Sequence, residues 1–145
     1  MSLRPRGTWR ILAVDDNVDS AESLRLLLEI TGHEVLTAHD GPAALEAARH
    51  FRPQVVLLDI GLPGMNGYEV ARRLRTQPGM DKALLVALTG YSQDEDRRRS
   101  QEAGFNAHLV KPADLDTLQA LFADLGPADG EPPENHWPGD GRPLQ

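Results

Sequence analysis

The chain has 145 residues with 40% hydrophobic and 26% charged residues, an ordinary balance for one globular domain with a sizeable core. Its formal net charge of -7 argues against general affinity for nucleic acid or anionic membrane. It has no cysteine, which excludes disulfides, thiol catalysis and thiolate metal sites, and no apolar run approaches the roughly 18 to 20 residues of a membrane span.

From the N-terminus, MSLRPRGTWR carries arginines with no apolar stretch behind them, so it does not read as a secretory signal, and residues 1–8 read as a disordered leader. WRILAVD is a first strand. Val18 to Thr31 has Ala21, Leu24, Leu27 and Leu28 at helical spacing, and Gly32 closes it. HEVLTA is a second strand. Pro42 stands near the start of a helix that runs to about Phe51. PQVVLLD is a third strand, and the loop IGLPGMNG leads into a helix from Tyr68 to about Thr76. KALLVALT is a fourth strand. Ser92-Gln93-Asp94-Glu95 is a capping box that opens a helix ending before Gly104. NAHLV is a short fifth strand, and Asp114 caps a last helix through Leu125.

Strands with continuous apolar runs, alternating with helices, imply an α/β fold with a parallel sheet covered on both faces. From Gly126 the chain turns to Pro, Gly and acidic residues, read as a disordered tail or linker in which Trp137 is a linker residue or part of a short docking segment.

The strand ends carry the chemistry. The first strand ends on Asp15 and Asp16, the third on Asp59, the fourth on Thr89, and the fifth just before Lys111. In a parallel sheet these ends share one edge. In the order 2-1-3-4-5 the winding reverses between the first and third strands, where ligands of open α/β sheets bind. That order would bring the three Asp residues together. Crowded carboxylates raise one another's pKa unless a cation stands among them. A hard, oxygen-preferring ion such as Mg²⁺ fits. Lys111 adds positive charge and Thr89 a hydroxyl, a set suited to phosphoryl transfer with an Asp nucleophile. No Walker A pattern is present.

The acidic pair in VDD, then LLDIGLPGMNG, ALTG and KP, in this order over residues 9–125, resemble the receiver domain of bacterial two-component response regulators. The resemblance implies a flavodoxin-like, doubly wound five-stranded parallel sheet in the order 2-1-3-4-5. It implies Asp59 as phosphoacceptor from a histidine of a sensor histidine kinase or phosphotransfer domain. Asp16, Asp59 and the Gly61 carbonyl would bind Mg²⁺ directly, and Asp15 through a water. Lys111 would pair with the phosphoryl group, Thr89 would swing toward it, and Lys111-Pro112 would be a cis-peptide candidate. Such a domain is a cytoplasmic switch that catalyses only its own phosphorylation and dephosphorylation. The run LTGYSQDEDRRRSQEAGFNAHLVKP looks like receivers attached to hybrid histidine kinases.

Two alternatives stand beside this reading. An aspartate-dependent Mg²⁺ phosphatase of the haloacid dehalogenase type would want Asp-x-Asp on its first strand, where this chain has Asp15-Asp16-Asn17. A receiver fold used only for binding would have no need of the full site set.

Arg97, Arg98 and Arg99 read as a solvated face paired with Asp94 and Glu95, not as a nucleic-acid patch. The surface from Ser92 to Leu125 is a candidate docking face for a downstream protein. Tyr91 would shield an acyl phosphate from water. One position departs from the receiver pattern: His108 stands where an inward-turning Tyr or Phe is usual. As a residue of an edge strand it is expected to be half-exposed, with altered coupling between Thr89 and the outer face as the functional reading.

Overall fold

The computed structural model describes residues 9–90, 94–111 and 114–125. Five strands alternate with five helices: β1 (Arg10–Val14), α1 (Val18–Ile30), β2 (Glu34–Ala38), α2 (Gly41–Phe51), β3 (Val55–Asp59), α3 (Gly67–Arg75), β4 (Leu84–Thr89), α4 (Asp94–Ala103), β5 (Ala107–Val110) and α5 (Leu115–Leu125). The strands form one parallel sheet in the order β2-β1-β3-β4-β5, the expected doubly wound arrangement.

The central strands are apolar throughout because both faces of the sheet are covered. On one face Leu12, Val14, Val56, Leu58, Leu85 and Ala87 pack with residues of α2, α3 and α4. On the other, Ile11, Val55, Leu57, Val86 and Leu109 pack with Leu28 of α1 and with Leu118, Leu121 and Phe122 of α5. Successive residues of each strand alternate between the two cores.

Short polar side chains start the helices. Asn17 Oδ1 accepts from the Ser20 amide at 2.9 Å, Asp40 Oδ1 from Ala43 at 2.7 Å, Asn66 Oδ1 from Glu69 at 3.0 Å, and Asp114 Oδ1 from Thr117 at 2.8 Å. Asn17, not Asp16, is thus the cap of α1, which leaves both acids of the pair for other work. β3 and β4 begin two residues later than their apolar runs suggest, since Pro53 and Gln54, and Lys82 and Ala83, precede the first paired residues. The Ser92 capping position, Tyr91, Pro112 and everything from Gly126 lie outside the described residues. Among the described residues, no helix is long and apolar enough to cross a membrane.

Candidate functional site at the carboxyl edge of the sheet

β1 pairs with both β2 and β3, so the winding reverses at β1 and β3, as the strand order requires. Asp15 follows directly on β1, and its amide donates to Ala38 O at 3.1 Å, which extends the β1–β2 ladder to the site. Asp59 is the last residue of β3, opposite Leu88. Ligand oxygens of Asp15, Asp16 and Asp59 all lie within 4.8 Å of one another. Asp15 and Asp59 are buried while Asp16 is exposed, so the adjacent carboxylates that follow β1 meet different surroundings.

The cation facing this cluster comes from 96 residues away in sequence: Lys111 Nζ donates to Asp15 Oδ2 and to Asp59 Oδ2, both at 3.2 Å. Burial acts to lower the Lys111 pKa. Hydrogen bonds and charge from Asp15 and Asp59 outweigh it and hold the ammonium above its ordinary value. Lys111 is fixed by its own amide, which donates to Thr89 O at 2.6 Å. The other oxygen of each acid is also used. Asp15 Oδ1 accepts from the Asn17 amide at 3.0 Å, and Asp59 Oδ1 accepts from the Gly61 amide at 2.9 Å. Gly61 is therefore at the site through its backbone. The donor set is oxygen only and one member is open to solvent, which fits a hard divalent ion that keeps several waters.

Thr89 ends β4 and is buried, and its Oγ1 shares a 2.8 Å hydrogen bond with His108 Nε2. His108 corrects the sequence expectation. It is 6% exposed rather than half-exposed, although β5 is an edge strand, because its face of the strand is turned inward beside β4.

Gly67 has a role that its place in a Gly- and Pro-rich loop did not reveal. A Cβ there would lie 2.6 Å from Ile60 Cα and 2.8 Å from Asp59 O, and its amide donates to Ile60 O at 2.9 Å. The start of α3 is thereby pressed against the residue that presents the Asp59 carboxylate. The next residue, Tyr68, carries the Arg99 guanidinium 4.3 Å above its ring centroid, so this arginine of α4 is engaged with α3. The side chain of Glu95, four residues earlier and its expected partner, lies outside the described set. A cleft of about 450 Å³ opens beside Asp15 and Lys111, with Leu24, Leu27 and Leu88 among its other lining residues.

Comparison with known proteins agrees with this geometry. The family model for the response regulator receiver domain matches residues 11–123. Protein PilH of Pseudomonas aeruginosa is 36% identical over 109 residues, which covers 75% of this chain and 90% of PilH. The structure of the chemotaxis protein CheY4 of Vibrio cholerae superposes with a TM-score of 0.74 at 32% identity, covering 77% of this chain and 92% of that one. The receiver domain of sensor histidine kinase PA1611 from P. aeruginosa, with a magnesium ion coordinated in its active-site cleft, superposes with a TM-score of 0.72 at 30% identity, covering 79% of this chain and 94% of that one.

Proposed function

The chain belongs to the response regulator receiver domain family, and from that premise we propose that it is a phosphorylation switch in which Asp59 is the phosphoacceptor. The observation that carries the proposal is the Lys111 ammonium set 3.2 Å from a carboxylate oxygen of Asp15 and of Asp59, at the edge where Thr89 also ends its strand. An Asp59 oxygen attacks phosphorus, the bond from phosphorus to a partner's imidazole nitrogen breaks, and the imidazole leaves neutral after taking up a proton. Lys111 and the Thr89 hydroxyl then hydrogen-bond phosphoryl oxygens. Asp16, Asp59 and the Gly61 carbonyl are the groups to hold Mg²⁺, with Asp15 holding one of its waters. When bound, the ion neutralises developing charge on the phosphoryl oxygens.

The partner is a sensor histidine kinase or phosphotransfer domain, whose histidine must reach Asp59 at the carboxyl edge of the sheet. A hybrid kinase as the parent protein is supported by the likeness to the PA1611 receiver. Phosphorylation adds about 1.5 to 2 negative charges at Asp59, read out by a downstream protein at the Ser92–Leu125 face. The receiver unit is residues 9–125, flanked by a leader and a Pro/Gly/acidic linker, and works in the cytoplasm, where such kinases present their histidines. Its catalysis is confined to its own phosphorylation and dephosphorylation at Asp59. The test is incubation with acetyl phosphate and Mg²⁺, read by intact mass. A transient single phosphorylation that is absent in Asp59→Asn is expected. Labelling that persists in Asp59→Asn overturns the assignment, and steady turnover of many phosphate esters points to the phosphatase instead.

A further inference from the structure

The Thr89–His108 hydrogen bond joins two buried side chains on adjacent strands. His108 lies opposite Ala87 in the β4–β5 register, and Thr89 is two residues further along the same face. The small Ala87 leaves room for the imidazole to reach diagonally to Oγ1, with Nε2 at 2.8 Å. Thr89 and His108 are 8% and 6% exposed, so water is a poor substitute for either partner.

A hydroxyl has one proton to donate, whereas a neutral imidazole nitrogen either bears a hydrogen or accepts one. We propose that the imidazole of His108 and the phosphoryl group compete for the single proton of the Thr89 hydroxyl. His108 is then a positioning residue that holds this hydroxyl away from Asp59 until phosphorylation. This rests on the reading of Asp59 as phosphoacceptor and adds a element to it: the resting state is stabilised by a bond that phosphorylation must break or reverse. A Phe at this position fills space and exerts no such hold. A neutral buried hydrogen bond corresponds to roughly a fivefold bias in the equilibrium.

The proton inventory is measurable on the full chain labelled with ¹⁵N-histidine. Two-bond proton–nitrogen correlations distinguish a nitrogen that bears hydrogen from one that accepts it, and the His108 signals are identified by their loss in His108→Gln. With Mg²⁺ alone, Nε2 is expected to be hydrogen-free and hydrogen-bonded. With Mg²⁺ and beryllofluoride as phosphoryl mimic, its signal is expected to move as the Thr89 proton is withdrawn. An Nε2 that bears hydrogen with Mg²⁺ alone, or a signal unmoved when beryllofluoride is bound, overturns the inference and leaves the phosphoacceptor reading intact. Beryllofluoride that fails to shift the Asp59 amide in the unaltered chain removes both. His108→Phe is expected to bind beryllofluoride about fivefold more tightly, and equal or weaker binding counts against the competition.

Discussion

The Arg75 guanidinium donates twice to the Gly104 carbonyl, from Nε at 3.0 Å and from Nη2 at 2.7 Å. Its Nη1 donates to the carbonyls of Met80, Asp81 and Ala83 at 3.1, 3.2 and 2.7 Å, and its Nη2 also reaches Asn106 Oδ1. A single side chain at the end of α3 thus ties down the turn before β4 and the turn between α4 and β5. Burial lowers its pKa, but no loss of charge follows at any working pH, since guanidinium titrates far above neutrality. Arg75→Ala leaves several carbonyl groups without their donor and is expected to lower stability by about 3 kcal/mol. Arg75→Lys, with a point charge in place of the planar fork, should fall between the two. Urea midpoints at unchanged slope measure both.

Gly67→Ala is expected to harm the site as well as the fold. Its Cβ would meet Ile60 Cα at 2.6 Å and Asp59 O at 2.8 Å, both backbone atoms that cannot turn aside. Either α3 retreats or the end of β3 shifts. Overpacking of this kind costs about 2 kcal/mol. Because the strained contact is with the phosphoacceptor's own residue, the rate of labelling by acetyl phosphate should fall by more than in a control such as Gly79→Ala. The Gly79 position has φ +85 and open space around it, so strain there stays local.

These two residues show where sequence reading stops. The ends of parallel strands can be read from apolar runs, and a parallel sheet puts all its ends on one edge. Asp15, Asp59, Thr89 and Lys111 were therefore legible as a group once the strand order was supplied by the family resemblance. Asp114 was legible as a cap, since a cap bonds three residues ahead. Arg75 was not. It sits in the run Arg72-Arg73-Leu74-Arg75, where Arg73 makes an ordinary surface pair with Glu69, and nothing local separates it from its neighbours. Its target is 29 residues away. The burial of His108 was missed for a related reason: an edge strand leaves one side unpaired, but both its faces can still be covered.

Lys111 and a divalent ion are expected to compete for the same acids. The ammonium stands 3.2 Å from one oxygen of Asp15 and of Asp59, and their negative charge in turn holds its proton. Removing a charge at this range makes the cluster more attractive to a cation. Lys111→Met is expected to bind Mg²⁺ severalfold more tightly by calorimetric titration, while its labelling by acetyl phosphate falls. Asp16→Asn should weaken Mg²⁺ binding and abolish the rise in melting temperature that Mg²⁺ gives the unaltered chain. Tighter Mg²⁺ binding with undiminished labelling in Lys111→Met would remove the lysine from the transfer step.

His33 gives the fold a pH dependence separate from the site. It is buried at the opposite edge of the sheet, where its Nδ1 accepts from the Trp9 amide at 2.9 Å and its ring lies 4.9 Å from that of Phe122. Burial lowers its pKa below the ordinary value. Protonating Nδ1 would also turn the acceptor of the Trp9 bond into a second donor. The unfolded chain, with a histidine pKa of about 6.5, takes up this proton more readily than the folded one. The stabilising effect is therefore complete above that value, and it is lost as pH falls from there through the depressed folded pKa. His33→Asn offers an oxygen to the Trp9 amide and does not titrate. The unaltered protein should lose more stability than His33→Asn between neutral pH and the range just below 6, by urea midpoints. The site carboxylates are common to both proteins, so their contribution cancels in the difference, and parallel pH profiles would exclude His33 as the source.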